Sequence, residues 1–298
     1  PLHFKLVLRD PTGRPLDEAK VYIGGESFGN NPDDDTIYGN GDWDILLGDS
    51  GYIPADVVIA VPSSLNTIVY SGGPGKDWIQ GGVGGTDPDF IHGQLEDDIL
   101  IGDGGEDIIR GGLGNDTIYV ELDDKDVDGE HGIDTIVSSR DVPFIILTTT
   151  SPTTAQLVHK QTAGGFPLST FSLTSIEVAK LFGGYRNNTF DITGWNGAAY
   201  ISGGTGNDTL IVENNTDMTL KDATLIEGLL FLAFQGFFKD ASLSLLSGTS
   251  YHIGGVENIT LRGGGSDNRL DATLFSRRVT FEGMAGNDLL IGGSGDDT

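Results

Sequence analysis

The sequence predicts an all-β protein whose chain winds into a parallel β-solenoid, a stack of short coils. Three observations predict this fold. A glycine-rich unit of nine residues recurs in the first half of the chain, and a 36-residue segment recurs after 80 residues in the second half. Glycine contributes 46 of the 298 residues, well above the usual ~7 %. Repetition at a fixed period is typical of coils that bury a continuous core by stacking.

The nonapeptide follows the pattern G-G-x-G-x-D-x-U-x, where U is a large apolar residue. Its glycines permit positive φ angles and close approach of the backbone, so their carbonyl groups can point at an ion. The aspartate at the sixth position, called the acidic position below, adds a charged oxygen. Contiguous or nearly contiguous copies begin at residues 39, 72, 93, 102 and 111, two copies with three extra residues span 48–59 and 81–92, and a degenerate copy spans 30–38. Their acidic positions hold Asp35, Asp44, Asp56, Asp77, Asp89, Asp98, Asp107 and Asp116.

The nine-residue period also predicts how the coils stack. Nine residues make half a coil, so turns on the same side lie about eighteen residues apart in the sequence. We therefore expect Asp77, Asp98 and Asp116 to stack on one side and Asp89 and Asp107 on the other. The U residues should face inward from short strands; they are Ile37, Leu46, Ile79, Ile91, Leu100, Ile109 and Ile118.

The second repeat aligns residues 176–211 with 256–291 without a gap, and 13 of the 36 positions are identical. Apolar segments recur in it about every ten residues between Gly/Asn turns, which predicts longer parallel coils and not an antiparallel sandwich. Two of its acidic positions hold Asn188 and Asn268. An amide is a weaker metal ligand than a carboxylate, so we expect side-chain hydrogen bonds to hold those turns.

Composition limits the functions that the chain can have. Lys and Arg total 17 against 44 Asp and Glu, which gives a formal charge of −27. Such self-repulsion destabilises a compact state unless cations bind among the carboxylates, and it argues against nucleic acid as a partner. Cysteine is absent, which removes disulfides and thiolate metal sites. No apolar stretch approaches ~18 residues, so no transmembrane segment is predicted.

No catalytic motif emerges from the sequence, and we expect that the chain is not an enzyme. The "GDSG" at 48–51 begins a repeat unit, so Ser50 is not a convincing nucleophile. The five histidines show no paired metal spacing. Acid pairs such as Asp33 and Asp35 resemble a glycosidase dyad but arise by chance among 44 acids. The apolar run 225–246 is interpreted as two core strands or a small capping helix, with a docking patch as the alternative.

The nonapeptides resemble the calcium-binding repeats of RTX proteins, the haemolysin-type family secreted by Gram-negative bacteria through type I secretion. The resemblance implies a right-handed parallel β-roll with several Ca²⁺ ions between successive turns. Hard Ca²⁺ takes ~6–8 oxygen ligands, which suits carboxylates with carbonyls. Besides the eight aspartates named above, the acidic position is filled by Asp208, Asp288 and Asp297. The carbonyl groups implied as ligands belong to glycines such as Gly72, Gly75, Gly102, Gly104, Gly111, Gly114 and Gly203.

This resemblance implies an extracellular or cell-surface protein that folds on binding Ca²⁺ after secretion. The first interpretation is a structural β-solenoid, such as a surface layer, fibril or adhesin stalk, whose partners are calcium, neighbouring copies of itself or other cell-surface components. The alternative is the calcium-binding domain of a secreted enzyme or toxin whose catalytic domain lies elsewhere. A glycan-binding adhesin using Trp195 and Tyr200 is a weaker option. Because the sequence stops in mid-repeat, we expect it to be a piece of a longer chain.

The predicted organisation has three parts. They are an N-terminal β segment or cap (1–24), a calcium-binding β-roll (25–140), and a degenerate solenoid (141–298) that carries the two long repeats.

Overall fold

The structure is a computed structural model of the chain. The structure describes residues 20–23, 36–38, 44–47, 68–74, 76–82, 89–224, 227 and 239–298. It divides into two compact units, Pro1–Asp134 and Thr135–Thr298, called the first and second units below. The three-part division expected from the sequence stays a prediction.

The first unit is built from ten described strands that pair in parallel. The strands form two sheets, with the order β1-β3-β4-β6-β8-β10 in one and β2-β5-β7-β9 in the other, and from β4 to β10 successive strands alternate between them. Every described pairing within them is parallel. The strands are β1 (Lys20–Ile23), β2 (Thr36–Tyr38), β3 (Asp44–Leu47), β4 (Ile68–Pro74), β5 (Trp78–Gly82), β6 (Asp89–Leu95), β7 (Ile99–Asp103), β8 (Ile108–Leu113), β9 (Thr117–Tyr119) and β10 (Asp126–His131).

Columns of apolar side chains hold these coils together. In one sheet Ile79 lies in register with Leu100, and Leu100 with Ile118. In the other sheet Ile91 lies in register with Ile109. All five are fully buried, which confirms the predicted inward-facing role of these U residues. Burying each such side chain contributes about 1.5–3 kcal/mol. The side chains of Ile37 and Leu46 lie outside the described part of the structure.

The second unit contains fifteen described strands, and its parallel pairings continue the solenoid pattern. They join β12-β16-β18-β22-β24 in one sheet and β11-β15-β17-β21 in the other, where β19-β23-β25 are also parallel. The strands are β11 (Thr135–Ser139), β12 (Phe144–Ser151), β13 (Thr154–Lys160), β14 (Pro167–Thr174), β15 (Val178–Gly184), β16 (Thr189–Asp191), β17 (Ala198–Gly204), β18 (Thr209–Glu213), β19 (Met218–Asp222), β20 (Ala241–Leu245), β21 (Ser250–Gly254), β22 (Asn258–Arg262), β23 (Arg269–Leu274), β24 (Val279–Glu282) and β25 (Leu289–Ile291).

Two antiparallel meanders lie among the parallel coils of the second unit. Strands β12, β13 and β14 form an antiparallel meander in one sheet, and β19, β20 and β21 form another in the second sheet. The first meander turns at Ser151–Thr154, where the sequence reads "SPTT". Ser-Pro favours the start of a turn, so the sequence contains a signal for this turn.

The two 36-residue repeats form the same elements in the same order. Strands β15 to β18 of the first copy correspond to β22 to β25 of the second. Side-chain to backbone bonds within these coils join residues 20 positions apart, as from Asn188 N to Asp208 Oδ1 and from Asn268 N to Asp288 Oδ1. The coil is therefore longer here than the eighteen residues of the first unit, as the sequence predicts.

The apolar run 225–246 is described only in part. Strand β20 supplies buried Ala241, Leu243 and Leu245 to the core, which agrees with the core-strand interpretation for that portion. Residues 225–226 and 228–238 lie outside the described part of the structure. Of the N-terminal segment, only β1 is described.

Candidate metal sites

Aspartates at the acidic position form a first row along one side of the first unit. Each carboxylate accepts the backbone N–H of the aspartate one coil earlier. Asp98 Oδ1 accepts from Asp77 N at 2.7 Å, Asp116 Oδ1 from Asp98 N at 2.8 Å, and Asp134 Oδ1 from Asp116 N at 2.8 Å. The predicted stacking of Asp77, Asp98 and Asp116 is confirmed, and Asp134 continues the row.

A second row lies on the other side of these coils. Asp107 Oδ1 accepts the backbone N–H of Asp89 at 2.7 Å, which confirms that pairing. Asp124 follows in the next coil, where only 4 % of its surface is exposed. The eighteen-residue spacing of the bonds from Asp89 and Asp98 is the predicted coil length.

Three of these carboxylates have a second oxygen without a hydrogen-bond donor among the residues that the structure describes. The three oxygens are Asp98 Oδ2, Asp107 Oδ2 and Asp116 Oδ2, all on side chains at most 1 % exposed. Leaving a buried acceptor unsatisfied costs about 1–3 kcal/mol, and more when the group is charged. A row of buried anionic oxygens without donors fits ligands of a cation.

Backbone carbonyls converge on the same places. A Cβ built on Gly93 would lie 2.2 Å from Asp98 Oδ2 and 2.5 Å from the carbonyl oxygen of Gly111. A Cβ on Gly111 would likewise lie 2.4 Å from Asp116 Oδ2 and 2.6 Å from the oxygen of Gly129. Each site thus pairs a carboxylate with a carbonyl from the next coil, over a glycine that leaves them room.

The donor set consists of oxygen atoms, which suits Ca²⁺. In the described ranges, no three His, Cys, Asp or Glu side chains form a metal-binding group. Besides the carboxylates, the carbonyl oxygens of the glycine-rich turns would hold an ion at these places. The residues present fit calcium better than Mg²⁺, which demands a tighter octahedron and keeps its waters.

Electrostatics show the cost of these sites without a cation. Burial raises the pKa of the Asp98 carboxyl to about 8; the hydrogen bond from Asp77 opposes this shift, and neighbouring carboxylates add to it. Burial also raises the pKa values of Asp107 and Asp116, each to about 6. The carboxylates are destabilised in their charged form, and a bound cation would reverse that effect.

Replacing Gly111 with alanine tests the close approach directly. The new methyl group would clash with Asp116 Oδ2 and with the carbonyl of Gly129, and overpacking of this kind costs about 1–3 kcal/mol. We expect calcium affinity and stability to the denaturant urea to fall together. The matched control is Gly164→Ala, because a Cβ at Gly164 meets nothing within 4 Å. Equal stability of the two variants in calcium would contradict the site geometry.

The second unit closes most of its acidic positions with protein hydrogen bonds. Asn188 Nδ2 donates to the Val142 carbonyl at 2.7 Å, and its Oδ1 accepts from Gly184 N at 3.1 Å. Asn268 Oδ1 accepts from Gly264 N at 2.8 Å. The prediction that side-chain hydrogen bonds hold the asparagine turns is confirmed.

Asp208 departs from this pattern. It is fully buried, and its Oδ2 has no hydrogen-bond partner among the residues that the structure describes. A Cβ on Gly203 would lie 2.4 Å from that oxygen and 2.0 Å from the Gly255 carbonyl oxygen. Glu257 accepts the backbone N–H of Asp208 at 2.7 Å and so replaces the usual aspartate of the next coil. Burial raises the pKa of Asp208, so this position resembles those of the first unit.

The remaining predicted site residues fall into three groups. Asp35, Asp56 and Gly75 lie outside the described residues. Asp44 lies in β3 with its side chain outside the description, and Gly72 lies in β4. Gly102, Gly104 and Gly114 lie in the turns and strand ends of the first unit. Asp288 Oδ1 accepts from Asn268 N at 2.9 Å, and Asp297 uses both oxygens, at 2.9 Å to Val279 N and 2.7 Å to Gly293 N. Metal binding by the individual residues stays a prediction.

Sequence reasoning missed two aspartates of these rows. Asp134 belongs to "GEHGIDTIV" (129–137), which fits the nonapeptide with Asp134 in the acidic position, so the signal was present. Asp124 belongs to "VELDDKDVD" (120–128), which lacks glycine and has no such signal.

A buried histidine with two serines resembles a catalytic arrangement but serves the core. Ser138 Oγ lies 3.0 Å from His159 Nε2, and Ser169 Oγ lies 2.8 Å from His159 Nδ1. Ser138 and His159 are fully buried, so a substrate cannot reach them. Burial lowers the pKa of His159 to about 4. Trp195, suggested above as a sugar platform, is also buried, and its indole N–H donates to the Ala198 carbonyl at 3.1 Å.

Stacked parallel coils with buried carboxylates and glycine carbonyls define the class of this protein as a calcium-binding β-roll. The family model for the RTX calcium-binding nonapeptide repeat (4 copies) matches residues 31–52, 83–118, 181–210, 193–217 and 280–298. These segments of the chain therefore carry RTX calcium-binding nonapeptide repeats. No curated protein matches it. In the described part of the chain, no helix is long and apolar enough to cross a membrane.

Proposed function

We propose that the chain is an extracellular structural β-solenoid that folds on binding calcium after secretion. The observation that carries this proposal is the pair of carboxylate rows, in which the buried Oδ2 atoms of Asp98, Asp107 and Asp116 have no hydrogen-bond donor among the described residues. Calcium ions between the coils would satisfy these oxygens and join neighbouring turns.

Folding and binding are linked in this proposal. Without calcium the formal charge of −27 opposes compaction, and 46 glycines raise the entropy lost on ordering the chain. With calcium, the free energy of binding becomes free energy of folding because the sites do not exist in the unfolded chain. Such a chain remains unfolded where calcium is scarce and folds where calcium is abundant, which suits export through type I secretion.

The proposed role is mechanical and not enzymatic. Parallel coils joined by backbone hydrogen bonds and ions form a stiff element suited to a surface layer, fibril or adhesin stalk. Coils of one copy offer the same backbone pairing to another copy, so self-association and contact with other cell-surface components belong to the proposal. The burial of Ser138 and His159 supports the absence of catalysis by the one Ser–His arrangement described above.

A calcium titration of the full chain tests the proposal. Far-UV circular dichroism is followed from an EGTA-buffered, calcium-poor solution to millimolar calcium, with Mg²⁺ as the control ion. We expect folding with a midpoint of about 10⁻⁴–10⁻³ M, the range of extracellular calcium modules, and no folding with Mg²⁺ over that range. Sedimentation velocity on the folded sample measures self-association. A chain fully folded in EGTA would contradict calcium-linked folding.

A further inference from the structure

Asp107 and Asp124 form a carboxylate pair that the nonapeptide pattern does not contain. A Cβ built on Gly102 would lie 2.4 Å from Asp107 Oδ2 and 2.7 Å from Asp124 Oδ1. At the equivalent place beside Gly93 and Gly111, the second oxygen belongs to a glycine carbonyl. A side-chain carboxylate thus takes the place of a backbone carbonyl, and two anionic oxygens face one spot.

Neither facing oxygen has a hydrogen-bond donor within the described residues. Both side chains are deeply buried, Asp107 fully and Asp124 with 4 % exposed, so water does not screen their repulsion. The basic side chains nearby are engaged elsewhere. Lys125 pairs with Glu106 at 3.5 Å on the surface, and Arg110 pairs with Asp126 at 2.5 Å.

The local backbone fixes Asp124 in this position. The Glu121 N–H donates to Asp124 Oδ2 at 2.6 Å, which holds that carboxylate by its other oxygen. The next residue, Lys125, also contacts the preceding coil, because its backbone N–H donates to the Asp107 carbonyl at 3.0 Å. Asp124 Oδ1 is therefore directed at Asp107 by hydrogen bonds on both sides of the residue.

We infer that Asp107 and Asp124 together bind a calcium ion, at a site that extends the second row past the nonapeptide repeats. Asp124 lies beyond residues 83–118, where the nearest repeat match ends. Two carboxylates supply twice the charge available at the Asp98 or Asp116 sites, which favours a divalent cation over water or a monovalent ion. The inference depends on calcium binding by the repeats and adds one site to them.

The test counts calcium ions on the full chain by native mass spectrometry and isothermal titration calorimetry. Asp124→Asn removes one charge but keeps an acceptor for the Glu121 N–H, and we expect it to bind one ion fewer than the wild type. Asp123→Asn is the matched control. Asp123 is exposed and accepts Gly105 N at 3.1 Å, so the variant should bind the wild-type number of ions.

A shared proton is the competing way to bridge two facing carboxylates. If a proton holds the pair permanently, Asp124→Asn binds as many ions as the wild type, and the inference is overturned. The double variant Asp107→Asn with Asp124→Asn provides a second measurement, because the two introduced amides can hydrogen-bond across the gap if a single variant fails to fold. If the two residues share one site, the double variant binds one ion fewer than the wild type. A loss of two ions, or of none, overturns the inference. Neither outcome decides whether folding depends on calcium at the other sites, which the calcium titration by circular dichroism tests.

Discussion

Chelating calcium from the full chain at pH 8 should speed amide exchange in β6–β9 of the first unit at least about a hundredfold, while β12–β16 of the second unit keep most of their protection. The rows of the first unit then hold ionised carboxylates such as Asp107 and Asp116, whose Oδ2 atoms have no hydrogen-bond donor among the described residues. The acidic position before β16 holds Asn188 instead, closed by its hydrogen bond to Val142. A hundredfold change corresponds to about 2.7 kcal/mol, the stabilisation given by a ligand at 100 times its Kd.

Hydrogen–deuterium exchange with mass spectrometry measures this difference peptide by peptide. The same chain in calcium is the control, and both units should be protected in it. The antiparallel meander β12–β14 is an internal reference because the described contacts assign it no acidic position. Equal loss of protection in the two units after chelation would show that the asparagine turns also depend on calcium.

The same experiment has a defined dependence on pH. In the chelated chain, burial places the folded pKa of Asp98 at about 8 and those of Asp107 and Asp116 at about 6, above the usual ~3.9 of aspartate. Protonation therefore stabilises the folded first unit at low pH, and this stability is lost as pH rises from about 4 to 8. Protection factors of β6–β9 in EGTA should be higher at pH 5 than at pH 8. In calcium the trend should reverse, because protons compete with the ion.

The periodic part of the fold is what the sequence predicts well. The spacing alone predicts that Asp98 stacks on Asp116 and that Leu100 packs in register with Ile118. A coil of constant length places the same position of each repeat in the same column. The same logic finds the asparagine turn at Asn188, whose amide supplies its own donor. Local chemistry repeated at a constant period therefore determines both the core and the rows.

Departures from the period are where sequence reasoning fails. The position of Asp124 depends on a hydrogen bond from Glu121 and on the return of Lys125 to Asp107, and neither is encoded in a repeat. Glu257 reaches Asp208 across 49 residues of intervening chain, a distance that no nonapeptide spacing anticipates. Both residues acquire their role from tertiary contacts and not from their neighbours in sequence.

Replacing Asp98 with alanine should cost the calcium-loaded chain about 4 kcal/mol, a large part of the 5–15 kcal/mol typical of a domain. The substitution removes the acceptor at 2.7 Å from the buried Asp77 N–H, a loss of about 1–3 kcal/mol. It also removes the carboxylate oxygen that approaches Gly93 and the Gly111 carbonyl, and with it the stabilisation by an ion. Exchange of the β7 amides in millimolar calcium measures the sum, and the calcium stoichiometry should fall.

Asp98→Asn separates the loss of the hydrogen-bond acceptor from the loss of the ion. The effect of this variant on stability should have opposite signs with and without calcium. An asparagine keeps an acceptor for the Asp77 N–H but removes the charge that burial destabilises. In calcium this variant should be less stable than the wild type, by less than Asp98→Ala. In EGTA at pH 8 it should be more stable than the wild type, because no ionised carboxylate is left buried there. If Asp98→Asn lowers protection of β7 equally with and without calcium, Asp98 acts through its hydrogen bonds alone and the row does not bind the ion at this position.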